Sequence, residues 1–125
     1  MKRDMDLVRH ILIATEKAGE PVDLSDLVKA PWDENAVAYH LELMEHHGLL
    51  DCNVRRDFGG DVVDATVCGL TWDGCDYLEA IRDRDVWAKT KKVLRETVGS
   101  TTMEVIKQTA VMVATSVIKA HLGIT

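Results

Sequence analysis

Residues 49–67 read "LLDCNVRRDFGGDVVDATV": two short β-leaning runs, "LLDCNV" and "VVDATV", separated by the polar segment "RRDFGGD". Gly59 and Gly60 in that segment supply the backbone freedom a tight turn needs, so the stretch reads as an antiparallel hairpin with a glycine-rich tip. What precedes it is helical. Met5, Val8, Ile11, Leu12 and Thr15 recur at helical spacing between Asp4 and Ala18, and Gly19 is the expected stop. "EPVDLSDLVKAP" reads as a turn and a short helix with Val22, Leu24, Leu27 and Val28 inward, closed by Pro31. Asp33 then caps a third helix over Glu34–His47, with Val37, Leu41 and Met44 as its inward stripe and Gly48 just past its end.

After the hairpin comes "LTWDGCDYLEAIRDRDVWAKTK", residues 70–91. Leu70 closes the second strand and Thr71 is placed to cap a fourth helix. Asp73 enters the first turn, where the positive end of the helix dipole favours a carboxylate. Cys75, Leu78 and Ile81 are read as the inward face of this helix, with Trp72 as a hydrophobic staple and both Trp72 and Trp87 packed in the core. A fifth helix over about 85–97 sets Val86, Thr90, Val93 and Leu94 on one side. A last helix begins at "STTMEV", with Thr101 and Glu104 at capping-box spacing, and runs to Leu122. Its stripe of Met103, Ile106, Ala110, Val113, Val117 and Ala120 is apolar enough to want burial on two sides. Ile106, Ala110, Val113 and Val117 are therefore the expected self-association contacts, in a homodimer or higher homo-oligomer. Only eleven uncharged residues lie between Lys107 and Lys119, too few to cross a bilayer.

Three helices, a two-stranded ribbon and a returning helix, in this order and at these lengths, make an α+β, mostly helical chain of winged helix-turn-helix type. Three helices alone leave apolar stripes uncovered, and the ribbon closes the open side. The expected organisation is a winged-helix domain over 1–82 and a helical extension over 83–125. In that frame the "LTWDG" junction fixes the angle at which the fourth helix leaves the wing.

The totals bound the function. A chain of 125 residues suits one core, and its opening "MKRDMD" has no apolar leader region, which makes the cytoplasm the default compartment. Cys52, Cys68 and Cys75 are odd in number with no C-x-x-C, so reduced and mostly buried thiols are expected. His40, His46, His47 and Cys52 are close in sequence but match no structural zinc spacing, and neither metal nor cofactor is expected. There is no glycine-rich phosphate loop and no H-E-x-x-H, and neither Ser25 nor Ser100 sits in a nucleophile-elbow context. The chain is not read as an enzyme. Charge divides sharply: residues 1–81 carry 7 basic and 17 acidic side chains, net -10, whereas 82–125 carry 8 and 4, net +4.

The chain also resembles a known family: small uncharacterised bacterial and phage proteins, filed as a domain of unknown function. The residues that carry the resemblance are the opening "MKRDMDLVRHIL", the helix "YHLELMEHHGLL", and above all the block "LTWDGCDYLEAIRDRDVWAKTKK", in which L-T-W-x-G is followed by I-R-D and V-W-x-K-T-K. Cys75 departs from the pattern, where relatives are expected to carry histidine. The resemblance spans nearly the whole chain and implies a winged-helix fold and a frequent phage or prophage setting, with no established chemistry.

Three surfaces are candidates for binding. On helix three, Asn35, Ala38, Tyr39, Glu42 and His46 lie opposite the buried stripe, and Asn35 and Tyr39 are suited to reading bases. Yet Asp33, Glu34, Glu42 and Glu45 accompany them with no Lys or Arg, so this face repels phosphate. The wing tip offers Arg55, Arg56 and Phe58, which suit a minor groove or a protein surface unless Phe58 folds back on the sheet. The basic run, Arg84, Lys89, Lys91, Lys92 and Arg95 with Arg82, is the place to grip a phosphate backbone or the acidic half of a partner subunit. Two expectations follow: a DNA-associated regulator or adaptor, and alternatively an acidic protein-interaction module that inhibits a host nucleic-acid-binding or defence protein.

Overall fold

The computed structural model describes residues 2–97 and 102–122, less the side chains of 97, 117 and 119–122. Two compact units divide the chain, Met1–Asp76 and Tyr77–Thr125. The protein is mixed α+β and mostly helical, with a small antiparallel sheet. The elements run α1 (Met5–Ala18), β1 (Val22–Asp23), α2 (Leu24–Leu27), α3 (Glu34–His47), β2 (Leu50–Arg56), β3 (Val62–Leu70), α4 (Trp72–Ile81), α5 (Arg84–Thr97) and α6 (Met103–Leu122).

In the first unit, α1 begins where Asp4 accepts from the N–H groups of Asp6 and Leu7, and it stops at Gly19 in the left-handed region. Asp33 caps α3 through the Ala36 N–H, and Gly48, at φ +87°, ends it. Leu7, Ile11 and Leu12 of α1, Val37, Leu41 and Met44 of α3, and Leu27 of α2 are buried. Leu50, Ala65 and Val67 of the sheet are buried as well. The three strands are ordered β1-β3-β2. Leu50 pairs with Leu70 and Arg55 with Asp64, with irregularities at Asp51/Cys52 and Arg55/Arg56.

The strand β1 departs from the expected reading of residues 22–28 as turn and helix: Val22 and Asp23 pair with Val67 and Thr66. Two residues are too few to show a period, and only Pro21 before them hints at a strand start. The helix that follows is a single turn, so Val28 is extended and exposed rather than inward.

The "LTWDG" junction is built on the backbone of Leu49. The Leu49 N–H closes α3 on the Met44 carbonyl at 2.9 Å, and the Leu49 carbonyl accepts from the Thr71 N–H at 3.0 Å. The Thr71 hydroxyl donates to the Gly48 carbonyl and, as N-cap of α4, accepts from the Gly74 N–H at 3.1 Å. A Cβ on Gly74 would stand 1.9 Å from the Leu49 oxygen, so only glycine allows the helix to come this close. Gly74, Tyr77, Leu78 and Ile81 share the buried face at i, i+3, i+4 and i+7. Trp72 and Cys75 fall off that face, which corrects their expected burial: Trp72 is 84% exposed and Cys75 is exposed.

In the second unit, Val86, Trp87, Thr90 and Leu94 of α5 are buried, as are Met103, Ile106 and Ala110 of α6. Trp87 is thus core as expected, while Val93 is partly exposed rather than inward. Thr102 starts α6, accepting from the Val105 N–H at 3.3 Å; the cap expected at Thr101 lies outside the described residues. Among the described residues, no helix is long and apolar enough to cross a membrane.

Gly74→Ala separates local propensity from this junction. Propensity alone makes alanine in a helix more stable by roughly 0.5–1 kcal/mol. The Leu49 contact reverses the sign and costs about 1–3 kcal/mol, readable as a lowered denaturant midpoint. A midpoint that rises would contradict the close approach.

Candidate functional site

α3 and the hairpin tip enclose an open groove of about 540 Å³ lined by Glu34, Asn35, Ala38, Tyr39, Glu42, Arg56, Gly60, Asp61 and Val62. Each arrives from a fixed element. Asn35 is exposed in the first turn of α3, Tyr39 is half-buried with its ring edge-on to His40 at 5.5 Å, and Glu42 follows three residues later. Ala38 belongs to the buried set rather than the outward face, because the hairpin closes over that side of the helix.

The tip is tightly ordered. The Asp57 N–H donates to the Asp61 carbonyl at 2.9 Å and the Gly60 N–H to the Asp57 carbonyl at 3.1 Å. The Asp57 carboxylate accepts from the Gly59 N–H at 2.9 Å and the Asp61 N–H at 3.0 Å. Gly60, at φ +86°, supplies the left-handed residue the turn requires. Arg56 donates to the Gly60 carbonyl at 2.8 Å and forms an ion pair with Glu42 of α3. The pairing ties tip to helix and cancels the charge of the one cation among the described lining residues. Glu34 and Asp61 leave the groove acidic.

The sequence-derived candidates therefore separate into groups. Asn35, Tyr39, Glu42 and Arg56 come together in the groove. Arg55 points to the other face of the ribbon, 3.9 Å from Asp64 and beside a smaller hollow with Asn53, Val54 and Thr66. Phe58 does not fold back on the sheet: it is fully exposed. In the second unit Arg84, Lys89, Lys92 and Arg95 are exposed, while Lys91 is half-buried with its ammonium 5.7 Å from the centroid of the Trp87 ring. Of the expected self-association residues, Ile106 and Ala110 are already covered within the chain at 1% and 0% exposure, which removes them from any outer surface. Val113 lines a groove of about 560 Å³ between α5 and α6; the Val117 side chain lies outside the described residues.

A polar cluster that periodicity does not reveal joins the chain's opening to α3. Asp4 accepts the Trp32 indole N–H at 2.8 Å while capping α1, and its backbone N–H donates to His40 Nε2 at 2.8 Å. His40 Nδ1 donates to the Ala36 carbonyl at 2.8 Å, so the buried ring is satisfied on both sides. His10 stacks on Trp32 at 5.3 Å and donates to the Leu27 carbonyl at 3.1 Å. Asp4 lies in the opening "MKRDMDLVRHIL", the sequence signal that points to it. Among the described residues there is no group of three or more His, Cys, Asp or Glu side chains placed to hold a metal.

Fold and site together define a small α+β protein with an acidic groove between a helix and a hairpin tip. The chain belongs to the family whose model is described as "Hypothetical protein (DUF2513)", which matches residues 2–101. An uncharacterised protein of Haemophilus influenzae is 30% identical over 112 residues, spanning 88% of this chain and 92% of that relative. No solved structure matches.

The three cysteines differ in environment. Cys52 is buried and Cys68 and Cys75 are exposed, which corrects the expectation of mostly buried thiols. Burial first, then the negative charge of Glu45, Cys68 and Glu42, pushes the Cys52 thiol up to about 11. At pH 8 its thiolate share is then on the order of one in a thousand, rising about a hundredfold by pH 10. A disulfide-exchange reagent at pH 8 is expected to label Cys68 and Cys75 promptly and Cys52 only after denaturation. Three equally fast thiols in the folded protein would contradict this assignment.

Proposed function

We propose that this chain is a winged-helix protein whose work is binding rather than catalysis, and that its acidic groove takes a basic segment of a protein partner. The element order α1-β1-α2-α3-β2-β3 and the strand order β1-β3-β2 support the winged-helix reading, with α3 in the position of a recognition helix. The observation that carries the functional reading is the Arg56–Glu42 pair. A wing arginine that would neutralise phosphate is paired with a carboxylate of its own chain at the surface, and the groove beside it presents Glu34 from α3 and Asp61 from the hairpin. Such a surface loses affinity for a duplex, because protein–DNA attraction comes largely from cations displacing counterions from phosphate. It gains affinity for lysine- and arginine-rich protein, including the nucleic-acid-binding face of another protein, as an inhibitor of that protein would. Tyr39 and Asn35 add an aromatic surface and an amide for orientation.

A second reading, a DNA-associated regulator, draws on the exposed Arg84, Lys89, Lys92 and Arg95 of α5. A gel shift with the gene's own upstream duplex at two ionic strengths distinguishes them. The acidic-groove reading predicts no retained duplex even in dilute buffer. A shifted band that falls away steeply with salt, reporting several phosphate contacts, would overturn it in favour of α5. In the source cell, a photo-crosslinking residue in place of Asn35 is expected to capture a protein, and Glu42→Lys to abolish the adduct. Crosslinks to nucleic acid would count against the proposal.

A further inference from the structure

We infer that the chain self-associates head to tail, the hairpin tip of one copy seating Phe58 in the α5–α6 groove of a second copy. This inference does not rest on the basic-partner reading: it shares Asp61 with the α3 groove and leaves Glu34 and Glu42 unused. The knob is Phe58, fully exposed at the end of the ribbon. An isolated exposed phenylalanine is ordinary on a mobile loop, but this one stands on a turn fixed by the Asp57 carboxylate and by Arg56 on the Gly60 carbonyl. The backbone that carries Phe58 is therefore already held by hydrogen bonds, which lowers the ordering an interface has to impose on this anchor.

The hole lies between α5 and α6. It has about 560 Å³ of open space, an apolar lining of Val93, Met112 and Val113, and Lys89 and Lys92 beside Glu96 at its edge. Met112 is 70% exposed, so the lining meets water. A flexible thioether adapts to an aromatic ring and makes favourable sulfur contacts with it.

Charge selects the occupant. Asp57 and Asp61 flank Phe58, while Arg55 is offset by Asp64 across the strands at 3.9 Å. The tip thus presents an aromatic ring between carboxylates, and the groove presents an apolar lining beside two ammonium groups and the one carboxylate of Glu96, net positive by one. The same complementarity holds for the whole chain, net -10 over residues 1–81 and net +4 over 82–125. A second copy carries both the knob that fits the hole and the hole that fits the knob. Because the two patches differ, the contact is heterologous: it closes reciprocally into a dimer or repeats into a longer assembly.

Sedimentation velocity across a concentration series tests this. The wild-type chain is expected to associate reversibly. Phe58→Ala and Met112→Asp, both at exposed positions and checked for folding by circular dichroism, should each raise the dissociation constant at least about tenfold. Mixing the two variants should restore association, since the first keeps an intact groove and the second an intact tip. A wild-type chain that stays monomeric at all concentrations, a Phe58→Ala variant that associates normally, or a mixture that fails to recover would each overturn the inference.

Discussion

The carbonyl of Leu49 is the point on which the first unit turns. It accepts the Thr71 N–H, and it lies so close to Gly74 that no larger residue fits, while the N–H of the same residue terminates α3. The end of one helix, the start of the ribbon and the start of the next helix are thereby joined within a single peptide neighbourhood. A buried carbonyl left without a donor is costly, and here Thr71 supplies the donor. With α3 terminated at Gly48 and β2 beginning at Leu50, the ribbon has one register, Leu50 opposite Leu70, and its tip comes down beside the first half of α3.

That placement decides what the surface is able to do. Arg56 reaches Glu42 only because the ribbon ends where it does, and the pairing converts an arginine expected to face outward into an internal tie. An exposed ion pair of this kind adds little stability, with a typical contribution of about 0–1 kcal/mol. Its larger effect is on recognition, since it withdraws positive charge from a face that already carries Glu34 and Asp61. The same turn that anchors Arg56 holds Phe58 out into solvent. An acidic groove, a rigid aromatic tip and a lysine-edged apolar groove are three different surfaces, and their separation along the chain follows the division of charge in the sequence.

The helices bounded by chemically distinct residues are legible in the sequence. Asp33 and Gly48 delimit α3, Thr71 marks the start of α4, and Gly59-Gly60 marks the ribbon tip, because each residue type satisfies a backbone requirement of its own. What escaped depends on tertiary geometry. The two-residue β1 has no period to detect, and its pairing with β3 is a long-range event. Apolar periodicity put Cys75 and Trp72 inside α4, whereas both are exposed and Gly74, Tyr77 and Leu78 are buried. The groove was half legible: Asn35, Tyr39 and Glu42 share a helix face by spacing alone. The capture of Arg56 by Glu42 requires the ribbon's length and twist, which no local pattern encodes.

Amide hydrogen exchange at Thr71 measures most directly whether the Leu49 junction is part of the cooperative core. This amide is expected to exchange as slowly as Val67 in the central strand, opening only when the unit unfolds as a whole. Exchange of Thr71 at the rate of an amide with no hydrogen-bond partner, with Val67 still protected, would show that the ribbon and α3 hold together without the junction and would contradict its place in the core.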